Sequence, residues 1–185
     1  MKRALNAVMI LALIGMLPSV GLAKAKECNG TITGTVNGGI IVSAGDNCVL
    51  SGATVNGGID MSGGTLEVCG STINGAIQAT GGDCVTLGLG PDDGDVNCPG
   101  DVINGHLSIA NVNGANCPGF TPVEVQDANI NGGVDLDNDG NPTQSAELES
   151  NTVQGTLMCD GNSGVTNDGF PNTVTGQEKG QCAGL

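Results

Sequence analysis

The chain of 185 residues has no tryptophan, no tyrosine, two phenylalanines, one histidine and five basic residues. With so few aromatic side chains, a core has to be filled by Val, Ile, Leu and Ala, which argues against a thick conventional globule. It also argues against a sugar cleft with aromatic platforms, because Phe120 and Phe170 both lie in Pro/Gly stretches, P-G-F-T-P and D-G-F-P-N. Nineteen acidic residues against the five basic ones give a net charge of −14. That charge repels phosphate backbones and anionic lipids, so neither nucleic acid nor a membrane surface is an expected partner. No run after the N-terminal segment approaches the roughly 20 apolar residues of a membrane helix, so no membrane insertion is expected.

What is abundant is glycine, with 33 residues, and cysteine, with eight. Residues 1–25 have the layout of a secretory signal: Lys2 and Arg3, an apolar run from Ala4 to Leu17, Pro18, then small residues with A-K-A at 23–25. Cleavage after Ala25 or after Ala23 (G-L-A) fits equally; removing residues 1–25 takes out three basic residues (Lys2, Arg3 and Lys24) and no acid, so two minus 19 leaves a net charge of −17 and no arginine. A secreted or periplasmic location follows as the expectation. Cys28, Cys48, Cys69, Cys84, Cys98, Cys117, Cys159 and Cys182 all lie beyond the signal, and an oxidising destination makes them four disulfides. There is no C-x-x-C pair to suggest zinc. Local spacing favours a bridge from Cys84 to Cys98 across a Gly/Asp stretch and one from Cys159 to Cys182.

A short phrase recurs along the chain: V-N-G-G-I at 36–40 and 55–59, I-N-G-A-I at 73–77, I-N-G-H-L at 103–107, I-N-G-G-V at 130–134 and V-Q-G-T-L at 153–157, then a degenerate V-T-G-Q-E at 174–178. Its second residue falls at 37, 56, 74, 104, 131, 154 and 175, in steps of 19, 18, 30, 27, 23 and 21. The shortest steps set the unit, and the longer ones imply loops bulging from it. Two-residue alternation places Val55 and Ile59, or Ile73 and Ile77, on one face with the intervening glycine, and a further pair, Leu66 and Val68, precedes the next phrase. Strands this short bury nothing alone, whereas stacked copies bury a continuous aliphatic column. The expected fold is all-β: a right-handed parallel β-helix of about six to seven coils with loop insertions. It would form one domain, residues 26–185, with 158–185 as a disulfide-tied C-terminal cap. A left-handed hexapeptide helix is the rival, but Glu67 breaks its six-residue lattice at a position that should be buried.

The pattern Ala53, Val55, Gly57, Ile59 resembles the coil of bactofilins, bacterial proteins built on right-handed β-helices. In overall character the chain is more similar to uncharacterised secreted bacterial β-helix repeat proteins. Their C-terminal phrases resemble V-Q-G-T-L-M-C-D-G-N at 153–162 and N-T-V-T-G-Q-E-K-G-Q-C at 172–182 here. The resemblance implies the fold and secretion, and it carries no activity.

Outward positions of the repeated strands read Thr54 and Asn56, Thr72 and Asn74, Asn104, Asn131 and Gln154. Stacked, they make a surface ladder of Thr and amide side chains that pair between coils. A flat face of that kind could also dock onto a second copy, an envelope or extracellular polymer, or ice. D-L-D-N-D-G-N at 135–141 resembles the start of a calcium loop, with Asp135, Asp137, Asp139 and Asn141 as candidate ligands and Gly140 at the sharp turn. Calcium is the one cofactor suggested. Position 146, where the bidentate acid belongs, is alanine, and a solvated acidic turn is the plainer reading. His106 stands alone on the outward column, with no nucleophile in a triad context, and is expected to be solvated. Asp92 and Asp93 are adjacent in an exposed-looking loop rather than a positioned acid pair. The expected function is therefore non-enzymatic: a secreted structural or surface-binding protein that acts by self-stacking or by presenting the Thr/Asn face. The alternatives are a calcium-dependent polysaccharide-active enzyme and an ice- or mineral-binding protein.

Overall fold

The computed structural model describes residues 24–89, 98–117, 121–140 and 145–185, and among them there are 20 β-strands and no helix. The first repeat comprises β1 (Lys26–Glu27) and β2 (Gly30–Asn37), and the second β3 (Ile40–Val42) and β4 (Asn47–Asn56). The third holds β5 (Ile59–Met61), β6 (Thr65–Cys69) and β7 (Thr72–Ile73), and the fourth β8 (Ile77–Gly82), β9 (Cys84–Leu87) and β10 (Val102–Ile103). In the fifth are β11 (Leu107–Val112), β12 (Val123–Gln126) and β13 (Asn129–Ile130), and in the sixth β14 (Val134–Asp137), β15 (Ala146–Glu149) and β16 (Thr152–Val153). The seventh contains β17 (Leu157–Asp160), β18 (Val165–Thr166) and β19 (Thr173–Val174), and β20 (Glu178–Gly180) ends the series.

All pairings are parallel, and each joins a strand to its counterpart one repeat away. One sheet runs β1-β3-β5-β8-β11-β14-β17-β20 and forms a first row. The other sheet divides at β4, whose N-terminal half pairs with β6 and whose C-terminal half pairs with β7. Its two arms, β6-β9-β12-β15-β18 and β7-β10-β13-β16-β19, form second and third rows. Every complete repeat visits the three rows in the same order.

Register turns the repeated phrases into buried columns. Ile40, Ile59, Ile77, Leu107, Val134 and Leu157 stack in the first row, Leu50, Val68, Leu87, Val125 and Leu148 in the second, and Val55, Ile73, Ile103, Ile130 and Val153 in the third. All of these side chains are buried. Glu67 is exposed on the outer side of the second row, so Leu66 and Val68, rather than the hexapeptide lattice, supply its interior.

The phrase does not form one strand, as alternation suggests. Val55 closes the third row and Ile59 opens the first, with Gly57 and Gly58 at the corner between them. A Cβ on Gly57 would stand 2.6 Å from the backbone of Gly38, and one on Gly75 2.6 Å from that of Gly57. Gly105, Gly132, Gly155 and Gly176 meet the preceding corner just as closely. The glycine is required by this backbone approach and not by an unusual φ.

Four disulfides link Cys28–Cys48, Cys69–Cys98, Cys84–Cys117 and Cys159–Cys182, with Cα–Cα distances of 5.3, 5.1, 5.5 and 5.3 Å. Adjacent parallel strands lie about 4.8 Å apart, within disulfide reach, so each bridge joins neighbouring repeats. The pairing of Cys159 with Cys182 is the one expected. The expected Cys84–Cys98 bridge is not formed, because residues 14 apart fall within one repeat, on different sides of it. Each instead finds its partner one repeat away, at a separation of 33 or 29 residues.

Overpacking a tight site costs about 1–3 kcal/mol. Gly75→Ala is therefore expected to destabilise the fold by at least that amount in urea or thermal unfolding, although it adds one methyl group and usually favours ordered structure. An unchanged midpoint would show that the corners are not in contact.

Candidate functional site

The third row carries the predicted ladder on its outer side, since Thr54, Val55 and Asn56 alternate out, in, out. Asn56 Nδ2 donates to Asn37 Oδ1 at 3.0 Å, Asn74 to Asn56 at 2.9 Å, Asn104 to Asn74 at 2.8 Å and Asn131 to Asn104 at 2.6 Å. Gln154 Nε2 donates to Asn131 at 2.8 Å. Every donor points to the preceding repeat, so the amide dipoles align along the stack. Beside the amides run Thr35, Thr54, Thr72, Val102, Asn129, Thr152 and Thr173 in register, and Val102 and Asn129 interrupt the hydroxyls. The row thus offers two parallel columns, one of exposed amides already hydrogen-bonded to one another and one, half-buried to exposed, mostly of hydroxyls.

Asp135 and Asp137 lie on the outer side of β14, whereas Asp139 turns inward and is 1% exposed. Val112 N–H donates to Asp139 Oδ1 at 2.8 Å, and Asp139 N–H donates to Asn162 Oδ1 at 2.8 Å. The three carboxylates therefore do not converge, although Gly140 does adopt the turn conformation expected of it, with φ 87°. Asn141 lies outside the described residues, as do Asp92, Asp93 and Phe120. Phe170 is half-buried. His106 is not merely solvated: its Nε2 lies 3.0 Å from Asp135 Oδ2, and its ring packs over Gly133, 3.2 Å from where a Cβ would stand.

Composition and spacing gave no notice of polar columns inside the corners. Before the third row, Ser71 N–H donates to Asp101 Oδ1 at 2.7 Å, and Ala128 N–H donates to Asn151 Oδ1 at 3.0 Å. The same side chains also reach carbonyls: Ser71 Oγ that of Leu50, Asn151 Nδ2 that of Val125 and Asn172 Nδ2 that of Leu148. After the first row, Asn162 Nδ2 reaches Leu136 O, and Asn162 N–H donates to Gln181 Oε1. Each side chain serves the backbone groups that the bend leaves without a strand partner. Asp101 and Asp139 hold this position in their repeats. Each has Oδ1 on a backbone amide and a buried Oδ2 without a hydrogen-bond partner.

Burial pushes the Asp101 carboxyl up to about 6 against the pull of the Ser71 and Gly88 amides. It raises Asp139 to about 6 as well, opposed by the Val112 amide and assisted by the nearby Asp137 carboxylate. Raised carboxyls in a cleft would suggest acid–base chemistry. Here both are sealed in the interior, 1% exposed, where no substrate reaches them.

A separate acidic group was also missed. Glu147, Glu149 and Asp168 place carboxylate oxygens within 4.8 Å of one another beside the second row. Glu147 follows Glu124 in register, and Glu124 accepts from Thr121 N–H and Oγ1 at 2.7 and 2.9 Å. Alternation marks Glu147 and Glu149 as outward, yet Glu149 is buried, and Asp168 arrives from a loop whose path the repeat does not encode. No family model, curated protein or solved structure matches this chain.

The raised pKa values set a pH dependence. Between about 4 and 6 the folded chain holds protons on Asp101 and Asp139 that the unfolded chain has released, so their contribution to stability is full below about 4 and is lost as pH rises through 6. D101N and D139N supply the amide used in neighbouring repeats. Each is expected to raise stability at pH 7.5 by up to about 3 kcal/mol, one pKa unit being worth about 1.4 kcal/mol, and to flatten the melting temperature between pH 4.5 and 7.5. A loss of stability at pH 7.5 in both variants would contradict this account.

Proposed function

We propose that the chain is a right-handed parallel β-helix, exported from a bacterial cell, that works without catalysis by presenting its third row to a regular envelope or extracellular polymer. The observation that carries this reading is the amide ladder. Six side chains, Asn37 to Gln154, run in one direction with bonds of 2.6–3.0 Å and remain exposed. Repeats succeed one another at about 4.8 Å, and the neighbouring hydroxyl column has the same period, so the face repeats as a crystalline or fibrous polymer does. Side chains locked in mutual hydrogen bonds lose little further freedom when a surface docks on them.

Several features support the β-helix. Seven repeats visit three rows in a constant order with parallel register, and the coil phrase resembles that of bactofilins. Export accords with the signal-like N-terminus, and four disulfides are compatible with an extracellular or periplasmic location. Against a catalytic reading, the described carboxyls with raised pKa values are buried, and His106 faces a carboxylate rather than a nucleophile.

Thr54 and Thr72 flank the ladder without belonging to it. In co-sedimentation with insoluble peptidoglycan, cellulose and chitin, the purified protein is expected to pellet with at least one polymer. T54K/T72K is expected to lower the bound fraction about tenfold or more while leaving the melting temperature within a few degrees. A parent protein that stays in the supernatant with all three would refute polymer presentation.

A further inference from the structure

The two ends of the stack are not equivalent. At the C-terminal end the edge strands β18, β19 and β20 are two, two and three residues long. The tail folds back on the first row: Cys182 is bonded to Cys159, Gln181 N–H donates to Cys159 O, Gly184 N–H donates to Glu178 Oε2, and Leu185 packs on the core. At the N-terminal end β2 is eight residues long and pairs only with β4, so among the described residues no strand pairs with its outer edge. Short edges and folded-over termini are what proteins use to prevent edge pairing, and β2 has neither.

The sequence of β2 reads nearly the same in both directions. Residues 30–38 are G-T-I-T-G-T-V-N-G, symmetric about Gly34: Thr33 mirrors Thr35, Ile32 mirrors Val36, Thr31 mirrors Asn37 and Gly30 mirrors Gly38. Gly34, with φ 75°, marks the bend between the half that lies in the second row and the half in the third. The symmetry extends to direction. Ile32 and Val36 face the core, while Thr31, Thr33, Thr35 and Asn37 are exposed.

We propose that two copies of this chain join through the outer edges of β2, antiparallel about a two-fold axis at Gly34, and that assembly stops at two. Residues opposite one another in an antiparallel pair point to the same side. Ile32 of one copy then meets Val36 of the other, and the aliphatic columns of the second and third rows run on through the junction. Asn37 begins the ladder with its Oδ1 occupied by Asn56, and its own amide donates to no side chain among the described residues. Across the seam that amide faces Thr31. Charge permits the approach: from Lys24 to Ala44 the only charged residues are Lys24, Lys26 and Glu27, in a chain whose net charge is −14. A two-fold contact consumes the same edge in both copies, and the closed C-terminal end offers no second one, so a dimer forms rather than a filament.

The inference rests on the stacked-repeat reading above and not on polymer binding. A dimer that ignores polymers and a polymer-binding monomer would each sink one proposal and spare the other. The test is sedimentation equilibrium and light scattering of the purified full protein between about 1 and 100 μM, with charge variants at the exposed seam positions. The parent is expected to be a two-copy species. T33K/T35K and T33E/T35E each set like charges opposite one another, so each is expected to dissociate about tenfold or more readily and to recover in 1 M salt. Mixed together, the two are expected to form a heterodimer, a rescue that no folding defect would produce. K179E at the closed end is expected to leave the dimer intact. A parent that is monomeric throughout, that grows beyond two copies, or whose dimer tolerates both charge variants would overturn the proposal.

Discussion

The close approach of successive backbones at the glycine corner is the constraint on which the rest of the structure depends. Gly57, Gly75, Gly105, Gly132, Gly155 and Gly176 each sit where a Cβ would collide with the preceding corner. Because the chain turns there with nothing projecting between repeats, the strands on both sides stay at hydrogen-bonding distance. From that spacing follow the aliphatic columns inside, the amide ladder outside and the reach of all four disulfides. The loops that lengthen a repeat to 27 or 30 residues are inserted away from this corner, which is why the register survives them.

Bending a strand three times per repeat leaves backbone groups at each bend that no neighbouring strand can satisfy. Ser71, Asn151, Asn162 and Asn172 turn inward to meet them, in columns parallel to the apolar ones. An amide suits the task because it both donates and accepts. Asp101 and Asp139 occupy the same positions with a group that only accepts when ionised, and burial of that carboxyl raises its pKa. Asp139, one of the candidate cation ligands, is thus part of the internal scaffolding, while Asp135 and Asp137 remain outside.

Much of the fold was legible in the chain because each repeat states it again. Val36, Val55, Ile73, Ile103, Ile130 and Val153 occur at one place in one phrase, and the outward Asn or Gln beside each could be assigned to a ladder without any coordinates. Less legible was whatever depends on the neighbouring repeat across a step of variable length. Cys84 and Cys98 look like partners at a separation of 14, yet each bonds one repeat away. His106 looks isolated, although Asp135, 29 residues later, lies beside it. The phrase itself was misread as a single strand, since alternation alone does not reveal that a glycine between two aliphatics marks a corner.

By itself, then, the sequence determined composition-level facts and the local alternation: an aliphatic interior without aromatics, a glycine in every repeat, an oxidised set of cysteines and a strongly acidic surface. These follow from residue chemistry and short-range period, which need no knowledge of distant contacts. Only the tertiary structure decided how the cysteines other than Cys159 and Cys182 pair, which aspartates lie inside, and that one end of the stack finishes in short strands with the tail folded back while the other keeps a long symmetric edge. The reason is physical: every one of those outcomes is a contact between repeats, and loops of unequal length conceal from a linear reading which residues the stacking brings together.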